Sequence, residues 1–175
     1  MRARLALIAA LALCATPAVA QGKTKTPALP QGVQALEMCE TFASGDVLAV
    51  EAASAEGWDT YQDSSESPYV KAYSGSKDLP GIGHATMFAL VESYPHATFG
   101  YCRVDVPELS GDAGNQVQAI QDLERYEGQA VQNGDGSFAS LAGTTDSERL
   151  LLTHATPSTF VIQLSILTPK AEAAE

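Results

Sequence analysis

The chain has 175 residues, 45% of them apolar, with 21 acidic against 10 basic side chains and a formal charge of −11. That length supports one domain with a substantial core, and that charge excludes the clustered Lys and Arg with which proteins bind nucleic acid or anionic lipid. An acidic surface suits cationic partners, or serves only to keep an exported protein in solution.

The N-terminus reads as an export signal. Arg2 and Arg4 precede an unbroken apolar run over residues 5–13, and Ala18-Val19-Ala20 supplies a small-x-small cleavage site, so residues 1–20 are expected to be removed. The run is too short to span a bilayer. The competing reading, a lipid anchor on Cys14, is opposed by the bulky Leu13 directly before it. Cleavage after Ala20 leaves 155 residues starting at Gln21; it removes two bases and no acid, taking the charge to −13. No later run is apolar enough to cross a membrane, so no membrane insertion is expected after cleavage, and the predicted location is periplasmic or secreted. Cys39 and Cys102 then remain as an even pair in an oxidising compartment, where they are expected to bond to each other. The closed loop of about 60 residues is worth about 4 kcal/mol on the chain-entropy model. Neither cysteine has the CxxC or His-rich spacing of a redox or metal site, so the bond is structural.

Residues 21–31, with Lys23, Lys25, Pro27 and Pro30, read as a flexible leader, residues 32–169 as a single domain and residues 170–175 as a frayed tail. Val33, Leu36, Cys39, Phe42 and Ala43 recur at helical steps of three and four, with Glu37 and Glu40 on the other face. Gly45 stops this helix, and Asp46 caps a second, Ala-rich one through about residue 56. Gly57 ends it, and Trp58 closes over the core. Residues 59–68 read as a polar loop, residues 69–73 as a strand, and residues 74–81 as turn-forming throughout.

Residues 84–106 read as a β-hairpin. A three-residue loop at Pro95-His96-Ala97 sets Leu90 opposite Cys102 and Phe88 opposite Val104. One face then holds Phe88, Leu90, Cys102, Val104 and Val106, and the other Met87, Ala89, Val91, Tyr101, Arg103 and Asp105. A slip of one residue exchanges faces and sets Arg103 against Phe88 or Leu90. This register turns Cys102 inward, towards Cys39.

Beyond Pro107, Val117, Ile120 and Leu123 mark a third helix over residues 115–126, which Gly128 ends. Gln132-Asn133-Gly134-Asp135-Gly136 is a turn signal between short strands at 130–131 and 138–142. Strands at 149–155 and 159–168 pair around Thr156-Pro157-Ser158. Phe160, Ile162, Leu164 and Ile166 alternate with partly apolar residues, which makes the last strand central. The predicted fold is α+β, a mainly antiparallel sheet packed by two N-terminal helices and one middle helix and stapled by a single disulfide.

Several motif-like strings fail on physical grounds. The three histidines recur in His84-Ala85-Thr86, His96-Ala97-Thr98 and His154-Ala155-Thr156, but His84 and His96 lie roughly 40 Å apart along one strand. Zinc needs each nitrogen about 2.0 Å away. Ser74-Gly75-Ser76-Lys77 matches S-x-x-K of the serine β-lactamases, yet Asp78, Pro80 and Gly81 bar the helix that string requires, and its K-T-G and S-D-N partners are missing. Aligning Gly136 with the invariant glycine of an EF-hand puts Val131 and Ala142 at acidic ligand positions. Glu92 with Asp105 or Glu108 offers two carboxyls to a glycosidase, a proximity expected by accident among 21 acids. No metal or cofactor is called for.

Tyr94-Pro95-His96 at the hairpin tip is the candidate binding site, with proline stiffening the loop and histidine presenting two nitrogens. In carrying the Pro95-His96 pair on a loop, the tip resembles periplasmic lysozyme inhibitors, some of which insert a histidine-bearing loop. The cysteines flanking that family's loop are absent, Tyr94 and Ala97 holding nearby positions. The expected function is a non-enzymatic exported module that binds a protein or cell-envelope ligand, a cationic protein among them, possible forms being an inhibitor or a toxin-neutralising protein. The alternatives are an exported hydrolase and an envelope-maintenance protein without a pocket. The hydrolase predicts a concave pocket with at least two convergent titratable groups, and Ser74, His84 and an acid within hydrogen-bond reach in one cleft would favour it.

Overall fold

The structure, a computed structural model, describes residues 28–127, 129–132, 136–144 and 146–170. The expected signal peptide, most of the leader, the Gly128 stop, the Asn133-Gly134-Asp135 turn and the tail beyond Lys170 lie outside the described residues.

Two helices, α1 (Gln31–Ala43) and α2 (Ala49–Ala55), lead into a four-strand meander, β1 (Asp59–Asp63), β2 (Val70–Leu79), β3 (Gly83–Ser93) and β4 (Ala97–Val106). Helix α3 (Ala113–Gln121) and a short 3-10 turn (Glu124–Tyr126) lead into a second meander, β5 (Gln129–Gln132), β6 (Ser137–Gly143), β7 (Glu148–Ala155) and β8 (Phe160–Pro169). Among the described residues the strands form one antiparallel sheet in the order β1-β2-β3-β4-β8-β7-β6-β5. The order is palindromic: each half is a helical segment followed by a meander, and the last strands of the two halves pair at the centre. This α+β architecture, with all three helices on one side of the sheet, is the one expected from the sequence.

The helices follow from their apolar periodicity. Val33, Leu36, Cys39 and Phe42 of α1 are buried, and the chain leaves the helix through Gly45 at φ 78°. Asp46 accepts the Leu48 N–H at 2.9 Å, closing the turn that starts α2. Asp112 accepts the Gly114 N–H at 2.8 Å as the cap of α3. Trp58 is buried at the end of α2, as expected.

The Cys39–Cys102 disulfide joins α1 to β4 with Cα atoms 5.2 Å apart. So short a link lets only small groups lie between helix and sheet. A Cβ on Gly100 would sit 1.6 Å from the Ala43 carbonyl oxygen, so the end of α1 rests directly on the β4 backbone. On the next strand the helix-facing positions are Ala85, Met87, Ala89 and Val91, all buried.

That close approach overturns the expected hairpin register. Ala89, not Leu90, stands opposite Cys102, and Arg103 stands opposite Phe88. Phe88 and Leu90 therefore lie on the face away from the helices, where Phe88 is 45% exposed. The expected register sets the larger side chains towards the core; beside a helix held this close, alanines fit and Leu and Phe do not. The loop shortens to Pro95-His96, with Ser93 opposite Thr98 and the Tyr94 N–H donating to Ala97 O at 2.8 Å.

Two polar stretches are also strands rather than loops. Residues 59–63 pair with β2 as an edge strand, and Ser74, Ser76 and Asp78 continue β2 against β3 as far as Leu79↔Gly83. Asp59, Tyr61, Asp63, Ser74, Ser76 and Asp78 lie on the helix-free face, where water replaces a core, while Thr60 turns to the helices and donates to Val50 O at 3.4 Å. The turn is confined to Leu79-Pro80-Gly81-Ile82, where Ile82 N–H bonds Leu79 O and Gly81 has φ 74°. Proline followed by a positive-φ glycine is the pattern of a type II turn.

Candidate functional site

The hairpin tip is exposed at Tyr94, Pro95 and His96 and is held from two sides. The Tyr94 phenol donates to Glu92 Oε2, folding the ring back over the strand end. That hydrogen bond, reinforced by the Glu92 charge, raises the Tyr94 pKa. From the end of β8, Lys170 donates its backbone N–H to His96 O at 2.9 Å and its ammonium to Tyr94 O and Ser93 Oγ, each at 2.7 Å. The tip is thus a braced turn.

Beside it opens a cavity of about 640 Å³ whose walls include Tyr69, Val70, Tyr94 and Pro95, with Glu92 and Lys170 as its charged groups. That size and that mix of aromatic surface with a few polar groups are those of a small-ligand or side-chain pocket. His96 does not line it. Of the predicted tip residues, two meet in the cavity and the third stands apart on the turn. Tyr69 and Lys170 were not foreseen as site residues, one read only as the first residue of a short strand and the other as tail. An exposed tyrosine directly after Pro68 was the available signal, and Tyr69 is 69% exposed.

A second surface is the sheet face opposite the helices. Strand pairing aligns Leu141, Leu150, Ser165, Tyr101, Leu90 and Ala72 in one row running across six strands. Leu167 and Phe99 pair in the adjacent row on one side, and Phe88 stands in the adjacent row on the other. Leu141, Leu150 and Leu167 are exposed, and the Phe88 and Tyr101 rings lie 6.5 Å apart. Arg103 lies in the same row as Phe88; its guanidinium is chelated by Asp105 through bonds of 2.7 and 2.6 Å, which hold it above its ordinary pKa. Among the described residues the other charged groups in these rows and at their ends are Asp63, Glu92 and Glu148.

The groups that a hydrolase would need are present but uncoupled. Ser74, His84 and Asp105 line one hollow of about 500 Å³ on this face. Ser74, however, donates to Asp63 at 2.8 Å, and His84 Nδ1 bonds Asp78 at 2.7 Å. Ser74 pairs with Phe88, four residues from His84 along β3, or roughly 13 Å. Glu92 and Asp105 are also far apart: Asp105 pairs with Thr86, six residues from Glu92 and roughly 20 Å along the strand, beyond the 5–10 Å or so of glycosidase carboxyl pairs. Among the described residues no three His, Cys, Asp or Glu side chains converge on a metal position, and no helix is long and apolar enough to cross a membrane.

Compared with known proteins, the chain matches no family model, no curated protein and no solved structure.

Proposed function

We propose that the mature chain is a small acidic exported module that binds a protein or cell-envelope ligand without transforming it, acting through the hairpin tip. A cationic protein is the partner its charge favours, and inhibition or toxin neutralisation is the narrower form of that role. The observation carrying this reading is the cavity beside the tip, where Tyr94 and Pro95 of the turn braced by Lys170 meet Tyr69, directly before β2, in an aromatic and apolar surface. Exposed tyrosines on a preorganised turn supply contact area at low entropic cost. Export rests on the N-terminal sequence and agrees with the disulfide.

The test is capture from envelope extract on the immobilised mature protein, wild type beside Tyr94→Ala, Tyr69→Ala and His96→Ala. A specific component is expected on the wild type, reduced at least tenfold by either tyrosine change while the melting temperature stays put. Equal capture by wild type and both tyrosine variants would remove the tip from the function.

A further inference from the structure

We propose that the helix-free sheet face is a second docking surface, and that its occupant is a cationic amphipathic helix of a partner polypeptide, laid across the strands. The apolar row from Leu141 to Ala72 crosses six strands, β6, β7, β8, β4, β3 and β2. At about 4.8 Å per strand spacing it is about 24 Å long, the length of a helix of about 16 residues. With the flanking rows, two residues away on either side, the patch is about 13 Å wide along the strands, the width of one helix at about 10–12 Å.

Charge selects the occupant. Glu92 and Glu148 lie along one side of the stripe, in the row of Phe99 and Leu167, Asp63 stands at its β1 end, and the one arginine in these rows is already neutralised by Asp105. A helix with one leucine-rich stripe edged by Lys or Arg matches this pattern, in the manner of helix-in-groove recognition. A second copy of the chain would set these carboxylates against each other at a formal charge of −11 per chain, so self-docking is disfavoured. An acidic helix is repelled outright.

The experiment uses the mature protein and three designed peptides of 16 residues, titrated by fluorescence anisotropy. One carries Leu on one helical face and Lys on the other; the second has Glu for every Lys; the third keeps the first composition in scrambled order. The Leu/Lys helix is expected to bind at least tenfold more tightly than the scrambled peptide, with no measurable binding of the Leu/Glu peptide. Leu150→Lys, at a 42% exposed position, is expected to weaken the first peptide at least tenfold, and Leu141→Lys, 49% exposed, serves if that variant does not fold. Tyr69→Ala, which leaves the Tyr94–Glu92 hydrogen bond in place, is expected to leave this binding unchanged, which separates the face from the tip. Equal affinity for ordered and scrambled peptides, or equal affinity of wild type and a folded lysine variant, overturns the proposal. So does a concentration-dependent dimer abolished by Leu150→Lys, which would assign the face to a second copy.

Discussion

Glu40 does more than its place on the polar side of α1 suggests. Its Oε1 accepts from Arg125 Nε and from the Tyr126 hydroxyl, each at 2.7 Å, and from Arg149 Nη1 at 3.3 Å. One carboxylate on the first helix thereby holds the 3-10 turn and β7 of the second half. Nothing local announces this knot, since its members are 85 to 109 residues apart. Burial first, and then the charge and hydrogen bond of Glu40, push the Tyr126 phenol well above its ordinary value of 10.0. The sign follows from linkage. A raised phenol pKa lends stability in full below the unfolded value, and that stability is lost as pH climbs through and above it. Tyr126→Phe is expected to cost about 1.5–3 kcal/mol at pH 7, the range for a hydrogen bond to a charged group. The gap between wild type and variant should then narrow from about pH 10 upward, read from urea melts at a series of pH values. Tyr73, whose phenol burial also raises, is common to both proteins and drops out of the difference. Parallel stability curves would show that Tyr126 is not the titrating group.

At the scale of elements, the register of β3 is the testable claim. The structure places Ala89 beside Cys102 under α1 and leaves Phe88 on the helix-free face. Ala89→Leu should overpack the contact and cost about 1–3 kcal/mol, while Phe88→Ala should cost under about 1 kcal/mol, as expected where a side chain is largely exposed. Denaturant melts of the two variants decide it; the reverse order of losses would return Phe88 to the core. The same strand explains what was legible in the sequence. The helices could be read from Val33, Leu36 and Phe42 and from Val117 and Ile120, because one buried stripe repeats at their period. The disulfide followed from cysteine count and compartment, and the central β8 from the run of Phe160, Ile162, Leu164 and Ile166. Register could not be read, because Ala85, Met87 and Ala89 and their alternates Phe88 and Leu90 are apolar on both faces, so pattern alone does not choose. The edge strand at 59–63 and the outer part of β2 were hidden for the opposite reason. Their side chains are mostly polar, and only backbone pairing, of β1 to β2 and of β2 to β3, makes them strands. Of the candidate site, Tyr94 and Pro95 were legible as a turn, but Tyr69 and Lys170 reach them only through the sheet.

The palindromic strand order gives the whole molecule a definite mechanical centre. Each meander follows its own helical segment, and the halves meet where Cys102 pairs with Leu164 and Val104 with Ile162, all four buried. Further ties cross the seam: α1 packs on α3 and β8 as well as on β4, the Gly32 N–H donates to Gln116 Oε1 at 2.9 Å, and Glu40 accepts from Arg125, Tyr126 and Arg149. The disulfide lies within the first half, so it fixes α1 on β4 without itself joining the halves. If these contacts make one cooperative unit, backbone amides of β4 and β8 can exchange only through global unfolding, while β1, paired on one side along five residues, opens locally. Native-state hydrogen exchange should therefore give the same, highest opening free energy at Val104, Cys102, Ile162 and Leu164, and a lower one at Thr60 and Gln62. The discriminating result is the comparison across the seam. Should the β5 to β8 amides share one opening energy and the β1 to β4 amides a different one, each half would be its own folding unit. The Glu40 knot would then act as a clasp between two separate units, and Glu40→Gln would change the difference between the two energies. In a single unit, Glu40→Gln lowers the protection of both central strands by the same amount, because both must come apart together.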